Sequence, residues 1–297
     1  MIPPVSPDAR RSDGRMSLRY EDITQDGFLR TVAMPHAMGR AFWQSAANEF
    51  LAEVRGQGIH PILTNLRCAA GEGPIGLLGG LTIDAHYDLA HVARDDEVER
   101  IVLRVWGIIG GPRGRIHGPP PRGAGELIEV GRVYGEHVFT KLFAPPGERR
   151  VSRLSASSLP SVPATKIERV SVDDVLALPA EASWSSDWEC DPAPIVLGID
   201  DSDANQHVNS LVYPALFRQA ALRALARRGE AATQRVVSDE LLFRKPCFAG
   251  EELAIEVRAF VHPRGSGAVL RLIDPAADSI RTASRLQLAR AAVSIHG

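Results

Sequence analysis

Leu211-Val-Tyr-Pro-Ala-Leu-Phe-Arg-Gln-Ala-Ala-Leu-Arg-Ala-Leu-Ala-Arg-Arg228 is the stretch on which the fold turns. Read as a helix, it carries Gln219, Arg223 and Arg227 as one polar stripe. Leu211, Ala215, Phe217, Ala220, Ala221, Leu222, Ala224 and Leu225 make most of its remaining surface apolar. A helix so largely apolar is expected to be buried on several sides. Gly229 ends it. Strand-like runs follow at Arg235–Phe243, Glu252–His262, Gly267–Ile273 and Ile280–Ala289. Gly-rich or Asp-Pro turns separate the last three runs.

The first half repeats this order. A helix is expected over residues 35–55, with Pro35 in its first turn and Gly56 as its stop. Met38, Phe42, Ala46, Phe50 and Val54 recur every four residues as a core stripe. Strands are expected at Ile62–Ala69, Ile75–Tyr87, Glu99–Ile109, Leu127–Phe143 and Arg149–Ser155. Gly110–Gly125 reads as a mobile loop. The repeat is one of pattern, with no sequence identity between the halves. An antiparallel sheet curled around a central helix answers both halves, because it buries a mostly apolar helix. The expected fold is therefore α+β, a double hotdog of two antiparallel sheets, each wrapped around a central helix.

Bulk properties agree with two domains. The chain has 297 residues, which suggests about two domains of roughly 150 residues each. The expected division is a disordered leader over 1–15, a first hotdog domain over 16–156, a linker over 157–182 and a second hotdog domain over 183–297. Residues 1–15 lack the apolar core of a signal peptide. A formal net charge of −2 gives no electrostatic footprint for nucleic acid or a membrane surface. No apolar run approaches the ~20 residues that span a bilayer. Cys68, Cys190 and Cys247 are odd in number and have no CxxC spacing, which argues for reduced thiols in a cytoplasmic protein. No metal site or cofactor is expected.

Just before the second helix lies Asp203-Ala-Asn-Gln-His-Val-Asn-Ser210. If the backbone here is extended, Asp203, Asn205, His207 and Asn209 project to one side. Asp, Asn and Ser are also turn residues, and the turn alternative leaves that phase open. A carboxylate, an amide and an imidazole at the mouth of a helix can bind a polarised carbonyl and activate a water beside it. The helix start supplies N–H groups for an oxyanion, and an acid or imidazole supplies a base for water. Asn209 or Ser210 is also a candidate N-cap. No Gly-x-Ser-x-Gly nucleophile elbow is present.

The motif Asp203-x-Asn205-Gln206-His207-Val208-Asn209 with Tyr213 resembles the acyl-ACP thioesterases of the hotdog superfamily. The resemblance implies that Asp203, Asn205 and His207 are catalytic. It also implies that Asn209, Tyr213 and Cys247 lie at the substrate, which is an acyl-ACP or acyl-CoA thioester. In that family a Glu precedes the cysteine of the Phe-Arg-Lys-Pro-Cys segment. Here Pro246 stands in its place, and Glu240 is one acid that could substitute. Val32–Gly39 resembles more loosely the first-helix entry of double-hotdog acyltransferase/decarboxylases of polyketide pathways, with His36 a candidate pocket residue. The readings that compete with hydrolysis are acyl transfer or decarboxylation, dehydration, and acyl-thioester binding without turnover. The assembly is expected to be a monomer carrying both units, or a homodimer.

Overall fold

The computed structural model describes residues 1–229 and 234–291, with the backbone alone described for residues 45–50. Ala46 and Phe50 of the expected stripe, and residues 292–297 of the expected second domain, therefore lie outside what is described. In chain order the strands are β1 (Arg10–Met16), β2 (Ile59–Ala70), β3 (Leu81–Arg94), β4 (Glu97–Pro112), β5 (Leu127–Lys141), β6 (Ser183–Trp184), β7 (Glu189–Cys190), β8 (Ile195–Val196), β9 (Gln234–Phe243), β10 (Glu252–His262), β11 (Gly265–Asp274) and β12 (Ser279–Arg290). The helices are α1 (Met34–Ala41), α2 (Ala47–Arg55), α3 (Val172–Leu176) and α4 (Tyr213–Ala226). Among the described residues no helix is long and apolar enough to cross a membrane.

The chain divides into two compact units. One comprises residues 1–23 and 27–169, the other residues 24–26 and 170–297. The division falls inside the stretch 157–182 read as a linker. Residues up to 167 stay with the first unit because they bond to β3: His91 N–H donates to the Thr165 carbonyl, and Ile167 N–H to the His91 carbonyl.

In the first unit the strands run in the order β1-β3-β4-β5-β2, each neighbouring pair antiparallel. The expected helix exists, but a π-helical turn at Phe42–Ala46 separates α1 from α2. Met34, Ala37, Met38, Ala41 and Phe42 are all buried. The helix sits close to the sheet because glycines lie beneath it. A Cβ on Gly131 would stand 2.5 Å from Met34 Cε.

Three expectations are corrected here. The leader is not disordered along its length: Arg10–Met16 is a strand against β3, and Arg11 grips Asp84 through two hydrogen bonds. Ahead of it, Pro3 accepts a hydrogen bond from the Trp106 indole. The strand read from Ile75 begins only at Leu81, because Gly79 and Gly80 interrupt it and Gly80 has φ +63°. Arg149–Ser155 is not a strand. It touches β5 by a single bridge at Arg150 while Val151 and Leu154 fill the core.

In the second unit the order is β9-β12-β11-β10, again antiparallel, with β6, β7 and β8 adding short pairs along β10. Tyr213, Phe217, Ala220, Ala221, Ala224 and Leu225 give α4 its buried face. Burial stops short of the whole helix: Ala215 is exposed and Leu222 is 40% exposed. The opposite sheet face packs α3, where Val175 clusters with Leu242 and Ala283. Alternation along β9 thus aims Leu241 and Phe243 at α4, and Leu242 at α3.

Candidate functional site

The site loop is held by its own polar side chains. Ser202 and Val208 form an antiparallel bridge, and Asp203 N–H donates to the His207 carbonyl (3.1 Å). Gln206 N–H donates back to the Asp203 carbonyl (2.9 Å), and Gln206 takes the left-handed conformation, φ +63°. The chain therefore reverses between 203 and 207. The extended phase that would place four side chains on one side is not found, because Asp203 closes an Asx turn instead: its Oδ1 accepts from Asn205 N–H at 2.8 Å.

Asn209 joins this loop to the helix. Its Nδ2 donates to Asp203 Oδ2 (3.1 Å), and its Oδ1 accepts from Leu211 N–H (2.8 Å). The helix proper begins at Tyr213 with Val212 as N-cap and no side-chain cap, so neither Asn209 nor Ser210 caps α4 directly. Asn209 caps the turn before it, where Val212 N–H also meets the Asn209 carbonyl (3.0 Å).

His207 is half-buried, and its Nδ1 lies 3.2 Å from the Val208 carbonyl. With that nitrogen donating, Nε2 of the neutral ring is the basic atom. Asn205 is exposed, and its side-chain amide makes no hydrogen bond among the described residues. Asp203 spends both oxygens on the loop. Of the three residues nominated as catalytic, His207 and Asn205 thus present reactive groups, and Asp203 shapes the turn that carries them.

Beneath the loop lies a buried pair. Val208 N–H donates to the Cys247 carbonyl at 2.8 Å. Burial pushes the Tyr213 hydroxyl and the Cys247 thiol above their ordinary values, and the two groups lie close enough to act on each other. A thiol held protonated is no nucleophile. The Tyr213 ring packs edge-on against Phe243, centroids 5.3 Å apart. Cys247 and Tyr213 therefore form the floor of the loop. His36 belongs to the first unit, exposed in the first turn of α1, where its charge acts on Asp22. It lines no described interior.

Two acids need separate treatment. Glu240 cannot substitute for the carboxylate absent at Pro246. It faces α3, where Arg285 binds it at 2.5 Å while also donating to the Asp174 carbonyl. Glu251 is the acid whose charge reaches both Cys247 and Tyr213. It accepts from Phe248 N–H (3.0 Å) and from Arg281 (3.2 Å), and Arg281 in turn holds the Pro246 carbonyl and Asp274. The sequence signal for Glu251 was an acid four residues past Cys247, brought back by the turn at Gly250. Among the described residues no group of three His, Cys, Asp or Glu side chains could hold a metal ion.

No protein-family profile matches the sequence, and no curated protein matches it. Solved structures do match. An oleoyl thioesterase assigned from Lactobacillus plantarum aligns over 99% of this chain and 100% of its own, with TM-score 0.65 and 12% identity. The likeness is one of fold. An acyl-ACP thioesterase from Bacteroides thetaiotaomicron aligns over 94% of this chain and 97% of its own, with TM-score 0.57 and 12% identity. The 12:0-ACP thioesterase from Umbellularia californica aligns over the same shares, with TM-score 0.54 and 15% identity. The chain thus carries, from end to end, the fold of these thioesterases.

Proposed function

We propose that the protein is an acyl thioester hydrolase acting on acyl-ACP or acyl-CoA in the cytoplasm, built as a double hotdog with domains near 16–156 and 183–297. The observation that carries this reading is the anchored imidazole: Nδ1 of His207 is tied to the backbone, leaving Nε2 as a base on the same loop that exposes the amide of Asn205. The fold likeness to three thioesterases supports it.

In this reading His207 Nε2 takes a proton from water as the water oxygen bonds to the thioester carbonyl carbon. The side-chain N–H of Asn205 stabilises the oxyanion. The tetrahedral adduct collapses, the C–S bond breaks, and the thiolate recovers the proton from His207. The products are a carboxylic acid and a free thiol. Asp203 and Asn209 hold the loop, and the Tyr213–Cys247 pair supports it from below.

The test is thiol release from a panel of acyl-CoA and acyl-ACP thioesters. His207→Ala is expected to lower kcat at least about a hundredfold with little change in KM. Release from no substrate, or an unaltered kcat in His207→Ala, would overturn the reading. Pro246, where the resembling family has Glu, favours one competitor: binding without turnover. That reading predicts a melting temperature raised by acyl-CoA with no thiol released.

A further inference from the structure

One arginine anchors the segment on which the site loop rests. Arg281 lies on β12, its side chain 15% exposed. Its carbonyl accepts from Arg244 N–H (2.9 Å) and Lys245 N–H (3.2 Å). Its guanidinium donates to the Pro246 carbonyl (3.0 Å), to Glu251 Oε1 (3.2 Å) and to Asp274 Oδ2 (2.7 Å). Glu251 completes the set, because its Oε2 accepts from Phe248 N–H (3.0 Å). Arg244, Lys245, Pro246 and Phe248 are thus each fixed by a polar bond, directly to Arg281 or through Glu251.

Cys247 stands inside this run, and its carbonyl accepts from Val208 N–H (2.8 Å). Val208 follows His207, and its own carbonyl meets His207 Nδ1 at 3.2 Å. Both polar backbone groups of Val208 are therefore engaged, one by Cys247 and the other by the imidazole. Proline suits position 246 in this arrangement: it has no N–H to satisfy, and its carbonyl is the group that Arg281 takes. On the far side Asp274 is itself fixed, its Oδ1 accepting from Ala276 N–H (3.0 Å) and Ala277 N–H (3.2 Å) in the turn between β11 and β12. A line of hydrogen bonds and short peptide links thus runs from that turn, through Arg281 and the run around Cys247, to the His207 ring.

A guanidinium suits this task, because its planar fork of N–H donors serves several acceptors at fixed angles. The rate of proton transfer depends on where Nε2 of His207 points, and a misplacement of about 1 Å costs about a hundredfold. An imidazole left free exchanges between its two neutral tautomers. A fixed Val208 carbonyl instead holds the proton on Nδ1 and leaves Nε2 basic.

We propose that Arg281 is a positioning residue for His207: through Pro246, Glu251 and Cys247 it sets the place and the tautomer of the imidazole. The proposal rests on the hydrolase reading above and names a residue that supports its base. The experiment sets Arg281→Met beside His207→Ala and the double variant, all in the full chain. Arg281→Met is expected to lower kcat about ten- to a hundredfold, with KM within about twofold. In the His207→Ala background the same change is expected to lower kcat by less than about twofold, since the group it positions is gone. Nitrogen NMR of the His207 ring, assigned by its loss in His207→Ala, gives a readout besides turnover. The wild-type ring is expected to carry its proton on Nδ1, and the Arg281→Met ring to populate both tautomers. Arg281→Lys keeps the charge but offers one nitrogen to three acceptors, and it carries the same comparison if Arg281→Met does not fold. In the variant that folds, an unaltered kcat, an equal fold-loss with and without His207, or an unaltered ring signal would overturn the proposal while leaving hydrolysis standing. If the wild-type protein cleaves no thioester, hydrolysis fails and the ring signal alone decides. Altered tautomers then support positioning, and unaltered ones overturn it.

Discussion

At Asn209 one amide ties the turn at Asp203 to the first turn before α4, donating to the one and accepting from the other. Asn205, four residues earlier, is exposed and its side chain makes no such tie among the described residues. The two residues should therefore fail differently. Asn209→Ala removes both bonds and is expected to cost about 1–2 kcal/mol, lowering Tm and kcat together. Asn205→Ala is expected to lower kcat with Tm unchanged, because nothing in the fold depends on it. Thermal melts beside thiol-release kinetics check the pair; a Tm loss in Asn205→Ala would contradict the division. The residue types of the site were legible in the sequence: an acid, an amide and an imidazole within a span of five positions, just before a helix. Their orientation was not. It depends on Gln206, a residue with no turn signal of its own, adopting φ +63°, which turns a presumed strand into a reversal. Glu251 was equally hidden, since its approach to Cys247 depends on Gly250 at φ +87°.

The central helix of the second unit was legible as an element because its apolar residues outnumber what one face needs. Its charged flank was not. The polar stripe read from the sequence omitted Arg218, whose side chain is only 12% exposed and is spent on Asp239. Burial pushes the Asp239 carboxyl upward, while Arg218 holds it down. A buried pair of this kind contributes little over an apolar replacement but is costly to break on one side. Arg218→Met is accordingly expected to destabilise the protein by about 3–5 kcal/mol, since it leaves Asp239 buried and alone. Arg218→Met with Asp239→Leu is expected to recover to the wild-type value or above it. Urea midpoints of the three proteins measure the cycle. A double variant as unstable as the single one would show that the pair is needed for α4 to seat at all. The strands were legible wherever apolar residues alternate between two turns. They were misjudged where a glycine pair or a single bridge ends the ladder, as at Gly80 and Arg150.

For the whole molecule, the repeated order of helix and strands was readable because each helix needs a sheet to cover it. The place of the division within the stretch read as a linker, at residue 169, was not, since the backbone bonds of 165 and 167 to β3 leave no mark in composition. A molecule-wide consequence lies in His137 of β5. It is 5% exposed, packs edge-on with Trp43 at 5.1 Å, and its Nδ1 has no hydrogen-bond partner among the described residues. Burial lowers its pKa to about 4, against a partial rise from the Leu103 backbone. The ordinary value is about 6.5. Between these values the unfolded chain binds a proton that the folded chain refuses, so stability falls as pH falls through this window. The expected loss is about 2 kcal/mol between pH 7 and pH 5. His137→Phe, which keeps a ring against Trp43, removes this titration and should flatten the profile over that range. Paired carboxylates such as Asp22, held low by Arg19 despite its burial, lose their contribution only at more acid pH and leave the comparison clean. Urea unfolding at pH 7, 6 and 5, followed by tryptophan fluorescence, measures both proteins. Parallel profiles would mean that the first unit opens and admits water to the ring before it unfolds.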